Sequence, residues 1–263
     1  MNIENKVILI SGAGGIFGTE IVKYLLKNKA TVIAFDIKSH KKMNKLIKIK
    51  NKSFFTYFVC DACDEKKLKK INNFVKQKYQ KIDVLINLAS ITDPVEGKKK
   101  ITTFENFSAK SFVEIVSKNL LSTFLTSKIF GNEMSKNKNG SIINFSSTYG
   151  VVGPDQSIYE SKNKKKFFIK NPAYPTSKGG IISFTKYLAS YWGNKNVRVN
   201  CIVPGGALNN QNKIFINNYS RKTPLGRMAN KNDLNGIVHL LCSNEALYIT
   251  GSIMTVDGGW TSI

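Results

Sequence analysis

KVILISGAGGIFGTEIVKYLLKN, residues 6–28, makes three structural statements in one line. VILI is an unbroken aliphatic run rich in β-branched residues, the mark of a strand covered on both faces. Gly12, Gly14, Gly15 and Gly18 follow at once, and EIVKYLLKN then repeats its apolar residues at helical spacing. Glycines let a backbone turn tightly and approach a pyrophosphate, while the helix start offers free N–H groups and the positive end of a dipole. Glycine serves any tight turn, so the weight lies in its place between a strand and a helix.

The same alternation runs outward to the end of the chain. TVIAFD (31–36), FFTYFVC (54–60), IDVLIN (82–87), SIINFSS (141–147), VRVNCIV (197–203) and SIMTV (252–256) read as strands. Segments of helical period separate them, the longest being FVEIVSKNLLSTFLTSKIFGNEMSK (112–136) and GGIISFTKYLASYWG (179–193). The fold class expected is α/β: a Rossmann-type doubly wound parallel sheet of about seven strands, helices on both faces, in a single domain over 1–263. Two lysine-rich polar stretches, near 92–107 and 155–172, break the rhythm after strand carboxyl ends, where open parallel sheets bind ligands. They are expected to be substrate-side insertions, with plain surface loops as the other reading.

Composition narrows the class. The chain has 263 residues, 40 Lys or Arg against 17 Asp or Glu, and a formal net charge of +23. Only Arg198, Arg221 and Arg227 are arginine, so the excess is lysine, which fits either a compositional bias or a field that attracts anionic ligands. No apolar run is long enough for a membrane span and no signal-peptide core opens the chain, so the expected location is cytoplasmic. Cys60, Cys63, Cys201 and Cys242 are scattered rather than arranged as a disulfide framework, and His40 and His239 lack ligand spacing, so no metal site is expected.

Asp36 closes the second strand 18 positions after Gly18, where a carboxylate accepts hydrogen bonds from an adenosine ribose and repels a 2′-phosphate. NAD is favoured over NADP, with Lys38, Lys41 and Lys42 weighing the other way. Further on, SIYESKNKKKFFIKNPAYPTSKGG (157–180) offers two tyrosines. Tyr174 has Lys178 four positions later, on the same helical face, whereas Tyr159 has Asn163. A tyrosine near its reference pKa of about 10 is a poor base at neutral pH, and an adjacent ammonium favours the phenolate. Tyr174 is therefore the expected acid–base residue.

Taken in order, SGAGGIFG, Asp36, CDACDE, NLAS (87–90), Asn119, INFSS ending at Ser147, YPTSK (174–178), PGG (204–206) and YITGSIMTVDGGW resemble the short-chain dehydrogenase/reductase family over nearly the whole chain. The resemblance implies an oxidoreductase acting on CH–OH groups with NAD(P). It implies catalytic roles for Asn119, Ser147, Tyr174 and Lys178, with Ser146 as the alternative to Ser147. Asn119 would bend its helix and hold a water joining Lys178 to solvent. The cofactor side would comprise Gly12, Gly14, Gly15, Ile16, Phe17 and Gly18 of the loop, then Asp36, Ile37, Asp61, Ala62, Asn87, Ala89, Pro204 and Gly205, with Tyr174 and Lys178 beside the nicotinamide half.

The chain departs from the family pattern in three places. Ile16 stands where a glycine is usual, Tyr174 lies 27 residues after Ser147 because of an insertion of some 14 residues, and the threonine often found after PGG is missing. The stretch after PGG, with Asn209, Asn210 and Gln211, resembles a bacterial surface-sugar and flagellin-modification branch, including nonulosonic-acid biosynthesis. That branch implies a small sugar-like, anionic substrate; a 3-oxoacyl-thioester reductase is the alternative within the class. A non-catalytic polyanion-binding module is the alternative outside it, although no aromatic-and-basic stacking surface supports specific nucleic-acid binding. Family habit also implies a homotetramer or homodimer.

Overall fold

A computed structural model describes residues 1–47, 53–92, 102–161 and 168–263. The first glycine corner joins β1 (Val7–Ser11) to α1 (Ile16–Lys27), and β2 (Thr31–Asp36), α2 (His40–Ile47), β3 (Phe55–Val59) and α3 (Glu65–Tyr79) follow. Then come β4 (Val84–Asn87), α4 (Ala109–Thr126), α5 (Asn132–Lys136), β5 (Gly140–Phe145), α6 (Ala173–Trp192), β6 (Val197–Pro204), α7 (Lys213–Arg221), α8 (Asn235–Cys242) and β7 (Ile253–Val256). All pairings are parallel, in the order β3-β2-β1-β4-β5-β6-β7.

The sheet is covered twice because its strands alternate two apolar sets. Ile8, Ile10, Val32, Ala34, Val84 and Ile86 face Ile21, Val22 and Leu25 of α1 and Val238 and Leu241 of α8. Val7, Leu9, Ile33, Phe35 and Leu85 face Leu68, Ile71 and Val75 of α3 and Leu188 and Trp192 of α6. A period of two with both phases apolar is what a sheet buried between helix layers requires. Order reverses between β1 and β4, so their carboxyl ends diverge and open a crevice there.

Strand limits differ from the sequence reading for local reasons. Asp83, read as part of the fourth strand, precedes it and uses its carboxylate to accept from the Val7 N–H at 2.7 Å. Ser146 and Ser147 leave the end of β5 rather than continuing it. The long helix read over 112–136 is two helices joined by a wider π turn at Ser127–Gly131. Of the two expected insertions, residues 93–101 and 162–167 lie outside the described residues.

Gly12 is forced to be glycine twice over: its φ is +68°, and a Cβ would stand 2.6 Å from the Ala89 backbone nitrogen. Neither backbone segment has room to yield. Gly12→Ala is expected to destabilise the protein by about 2–4 kcal/mol, read as a lowered urea midpoint at unchanged slope.

Candidate active site

At the carboxyl edge of the sheet a cleft of about 780 Å³ runs from the glycine corner to the start of α6. Its far end is lined by Gly12, Gly15, Ile16, Phe17 and Gly18. Helix α1 follows directly on Gly15, with no side chain capping it and no acidic residue in its first turn, which leaves its dipole and N–H groups for an anion. The side chain of Ile16, where a family glycine is usual, forms part of the wall at the first helical position. Asp36, Ile37, Asp61, Ala62, Ala89, Pro204 and Gly205 line the cleft as well.

Two expected cofactor residues are placed otherwise. Asn87 does not line the cleft: its side chain donates to Asn144 Oδ1 at 2.9 Å and to Ser127 Oγ at 3.2 Å, and accepts from Thr126 Oγ1 at 2.8 Å. A buried amide so fully engaged ties β4 to β5 and to the helix above them. Gly14 turns under the neighbouring strand end, where its N–H donates to Asp36 Oδ2 at 2.9 Å and its carbonyl meets Lys38 Nζ. Asp36 Oδ1 also accepts from the Lys38 N–H at 3.0 Å, so the carboxylate is braced at the cleft rim.

Ser147, Tyr174 and Lys178 meet at the other end. Tyr174 and Lys178 share one face of α6, with Lys178 Nζ 5.7 Å from the Tyr174 ring centroid. The ammonium is held by the Phe145 carbonyl at 3.0 Å, at the very end of β5. The two serines after that strand separate in role: Ser146 Oγ donates to the Lys178 carbonyl at 2.8 Å and locks α6 to the sheet, whereas Ser147 Oγ caps the next turn by accepting from the Tyr149 N–H at 3.2 Å.

Asn119 sits outside the cleft lining, and α4 runs through it unbroken; the helix departs from regularity eight residues later, at the π turn. The Asn119 amide accepts from the Ile91 N–H at 2.7 Å and donates to the Ile91 carbonyl at 3.0 Å and to Ser177 Oγ at 2.9 Å. The side chain behaves as a strand partner for the loop after β4 and fixes it to α6.

The wall of the cleft near Tyr174 also holds Tyr149, Phe215 and Tyr219, to which sequence reading assigned no role. Tyr159 and Lys170, from the expected insertion near 155–172, and Gln211, from the stretch after PGG, line the same cleft. Tyr159, rejected as acid–base residue, donates or accepts a 3.0 Å hydrogen bond with the Tyr149 phenol and stacks on Phe215 at 5.2 Å. Tyr219 stacks on Trp260 at 4.2 Å and its hydroxyl accepts from the Gly206 N–H at 2.6 Å. Cys60 and Cys63 also reach the cleft, and burial pushes both thiols up to about 11, so they stay protonated at neutral pH. Among the described residues no cluster of His, Cys, Asp and Glu gathers to hold a metal, and no helix is long and apolar enough to cross a membrane.

A family model described as enoyl-(acyl carrier protein) reductase matches residues 12–261. The chain is a short-chain dehydrogenase/reductase. It is 30% identical to the 7alpha-hydroxysteroid dehydrogenase of Bacteroides fragilis, over 98% of this chain and 95% of that one. It is 29% identical to the post-translational flagellin modification protein A of Campylobacter coli, over 98% and 99%. Among solved structures, a short-chain dehydrogenase from Leptospira borgpetersenii with bound NAD+ superposes with a TM-score of 0.86 at 36% identity, over 99% of this chain and 94% of that one.

A short-chain dehydrogenase/reductase carries its lysine at a cost. Burial lowers the Lys178 ammonium from the usual 10.5 to about 8, and the charge of Lys170 adds to that effect. The shift corresponds to roughly 3 kcal/mol against the charged form. Below about pH 8 the penalty is present in full; between there and 10.5 the unfolded chain binds more protons than the folded one, so stability rises with pH. Lys178→Met is thus expected to melt at or above the wild-type temperature at pH 7, with the difference narrowing as pH is raised in a thermal-unfolding series.

Proposed function

We propose that this protein is an NAD-dependent oxidoreductase that interconverts a secondary alcohol and a ketone on a sugar-like, anionic substrate in surface-glycan or nonulosonic-acid biosynthesis, in the cytoplasm. The observation that carries the oxidoreductase reading is the Tyr174–Lys178 pair beside Ser147, at one end of a cleft whose other end is a glycine corner and a carboxylate. The groove fits a dinucleotide: a helix start without its own anion, close-packed glycines, and Asp36 where a ribose would lie. Bound there, the nicotinamide supplies or accepts the hydride. A carboxylate at that rim favours NAD over NADP, and the Leptospira relative carries NAD+.

In this scheme Tyr174 gives a proton to the carbonyl oxygen during reduction and takes it back from the hydroxyl during oxidation. Ser147 donates a hydrogen bond to the same oxygen and steadies its developing charge. Lys178 binds the cofactor ribose hydroxyls and, as a cation beside the phenol, favours the phenolate. Asn119 holds the loop after β4 against Ser177, and the family's water path from Lys178 to solvent runs past it. The glycine corner, Asp36, Ile37, Asp61, Ala62, Ala89, Pro204 and Gly205 bind the cofactor, with Gly14 and Asn87 bracing the groove from behind.

Three features support the substrate class. Stacked aromatic rings with phenol hydroxyls and an amide suit the alternating apolar and hydroxyl faces of a sugar. Lys170 and a net charge of +23 suit an anion. One relative is named for flagellin modification. A 30% identical relative named 3-oxoacyl-(acyl-carrier-protein) reductase, from Thermotoga maritima, together with the same positive charge, favours a second reading, a 3-oxoacyl-thioester reductase drawing in an acidic carrier.

Thr92 of the first expected insertion and Tyr159 and Lys170 of the second line the cleft. We read both insertions as substrate-side loops of one domain. An exposed stripe on α4 and α6 supports a homodimer or homotetramer: Phe124, Tyr187 and Tyr191 are 44%, 60% and 61% accessible, and the two tyrosines stack at 5.7 Å.

Turnover of amino-sugars, sugar phosphates and 3-oxoacyl thioesters, followed by nicotinamide absorbance, tests the reading. The expected result is activity on a sugar, with kcat/KM at least about 10-fold higher for NAD(H) than for NADP(H). Thioester turnover with an NADPH bias would replace it by the second reading. Tyr174→Phe is expected to lower kcat by at least about 100-fold with little change in cofactor affinity. Light scattering is expected to give two or four chains, falling toward one in a Tyr187→Glu, Tyr191→Glu double variant.

A further inference from the structure

Lys178 is not the cation nearest the Tyr174 ring. Lys170 Nζ lies 4.2 Å from the Tyr174 ring centroid, against 5.7 Å for Lys178. Lys170 belongs to the stretch that separates Ser147 from Tyr174 by 27 residues, so the insertion itself delivers this charge. Its delivery is not left to a loose loop end. Gln156 clamps the Lys170 backbone at two points, accepting from its N–H at 3.0 Å and donating to its carbonyl at 3.1 Å. Next in line, buried Asn171 donates to the Thr92 carbonyl at 2.8 Å and accepts from the Tyr174 N–H at 3.0 Å. One residue thus caps the first turn of α6 and ties the insertion to the loop after β4. Lys170 is fixed relative to Tyr174 through its own neighbour.

We infer that Lys170 is a second cation acting on the Tyr174 phenol, a positioning residue that favours the phenolate and so shares with Lys178 the charge-setting work of the acid–base step. Two ammonium groups close to one aromatic ring repel each other, and each is stabilised when the ring carries negative charge. Lys170 accordingly adds to burial in lowering the proton affinity of Lys178. Among the described residues, Tyr149, Tyr219 and Cys201 around the pair are held neutral or work in the opposite direction. Tyr149, in the turn after β5, is held protonated by burial and by its bond to Tyr159, and Tyr219 of α7 is likewise held up by burial. Cys201 of β6, behind Lys178, is pushed up to about 11. The inference is independent of which substrate the enzyme takes.

The test needs no substrate. Phenolate absorbance is followed against pH for the full chain and for Tyr174→Phe, and their difference isolates the Tyr174 midpoint. The same pair is then made with Lys170→Met. The expected result is a midpoint about one pH unit higher without the Lys170 charge, restored to within a few tenths by Lys170→Arg. Gln156→Leu, which frees the clamp without touching the lysine, is expected to raise the midpoint in the same direction, and it serves if Lys170→Met folds poorly. An unchanged midpoint in Lys170→Met, or a shift that arginine does not reverse, would overturn the inference.

Discussion

The site depends on a lysine that is buried at the cleft floor. Lys178 is 3% accessible, and its hydrogen bond to the Phe145 carbonyl is made at the point where β5 stops. Burial makes the charge expensive and therefore effective: in a poorly screened interior a cation acts on a neighbouring phenol more strongly than it would at the surface. Everything around it serves to keep it there. Ser146 pins the Lys178 carbonyl to the strand end, and a Cβ at Gly150 would sit 2.4 Å from Ser146 Oγ, so the turn after β5 is packed against α6 with no slack. A residue that costs stability and is nonetheless held so firmly is what the proposed acid–base role requires.

The crevice follows from topology. Reversal of strand order between β1 and β4 opens the carboxyl edge, and β1 delivers the glycine corner to that opening while β5 and α6 deliver Ser147, Tyr174 and Lys178. Hydrogen bonds between elements, rather than the cleft residues themselves, set the spacing. Asn87 spans β4 to Asn144, Asn144 reaches on to Thr185 of α6 at 2.9 Å, and Asn119 joins the loop after β4 to Ser177 of the same helix. Buried amides with all partners made are costly to rearrange, so they act as rigid struts.

Much of this was legible in the residues because it is written in local patterns. Strands with two apolar phases gave the buried sheet, the glycine run gave the strand-to-helix corner that lines one part of the cleft, and the four-residue step from Tyr174 to Lys178 marked a pair that shares one helix face in that cleft, even though Tyr159 stands at the more usual distance from Ser147. What stayed hidden depends on contacts far apart in sequence. Asn87 and Asn119 have cofactor and catalytic positions by motif, yet their amides are turned to Asn144 and Ile91, which no spacing reveals. The aromatic wall joins Tyr149 and Tyr159 to Phe215 and Tyr219 from two separate segments. Lys170 looked like one lysine among many until Gln156 and Asn171 showed how its backbone is held.

The central claim is one of placement: a dinucleotide lies along this cleft with its nicotinamide facing the Tyr174 phenol. A crystal structure of the protein soaked with NAD+ tests it most directly. The account predicts the pyrophosphate over Gly15 to Gly18, the ribose hydroxyls against Lys178 Nζ, and the nicotinamide ring within reach of an oxygen held by Tyr174 and Ser147. A nicotinamide directed away from residues 147, 174 and 178, or a cofactor bound elsewhere on the chain, would contradict it.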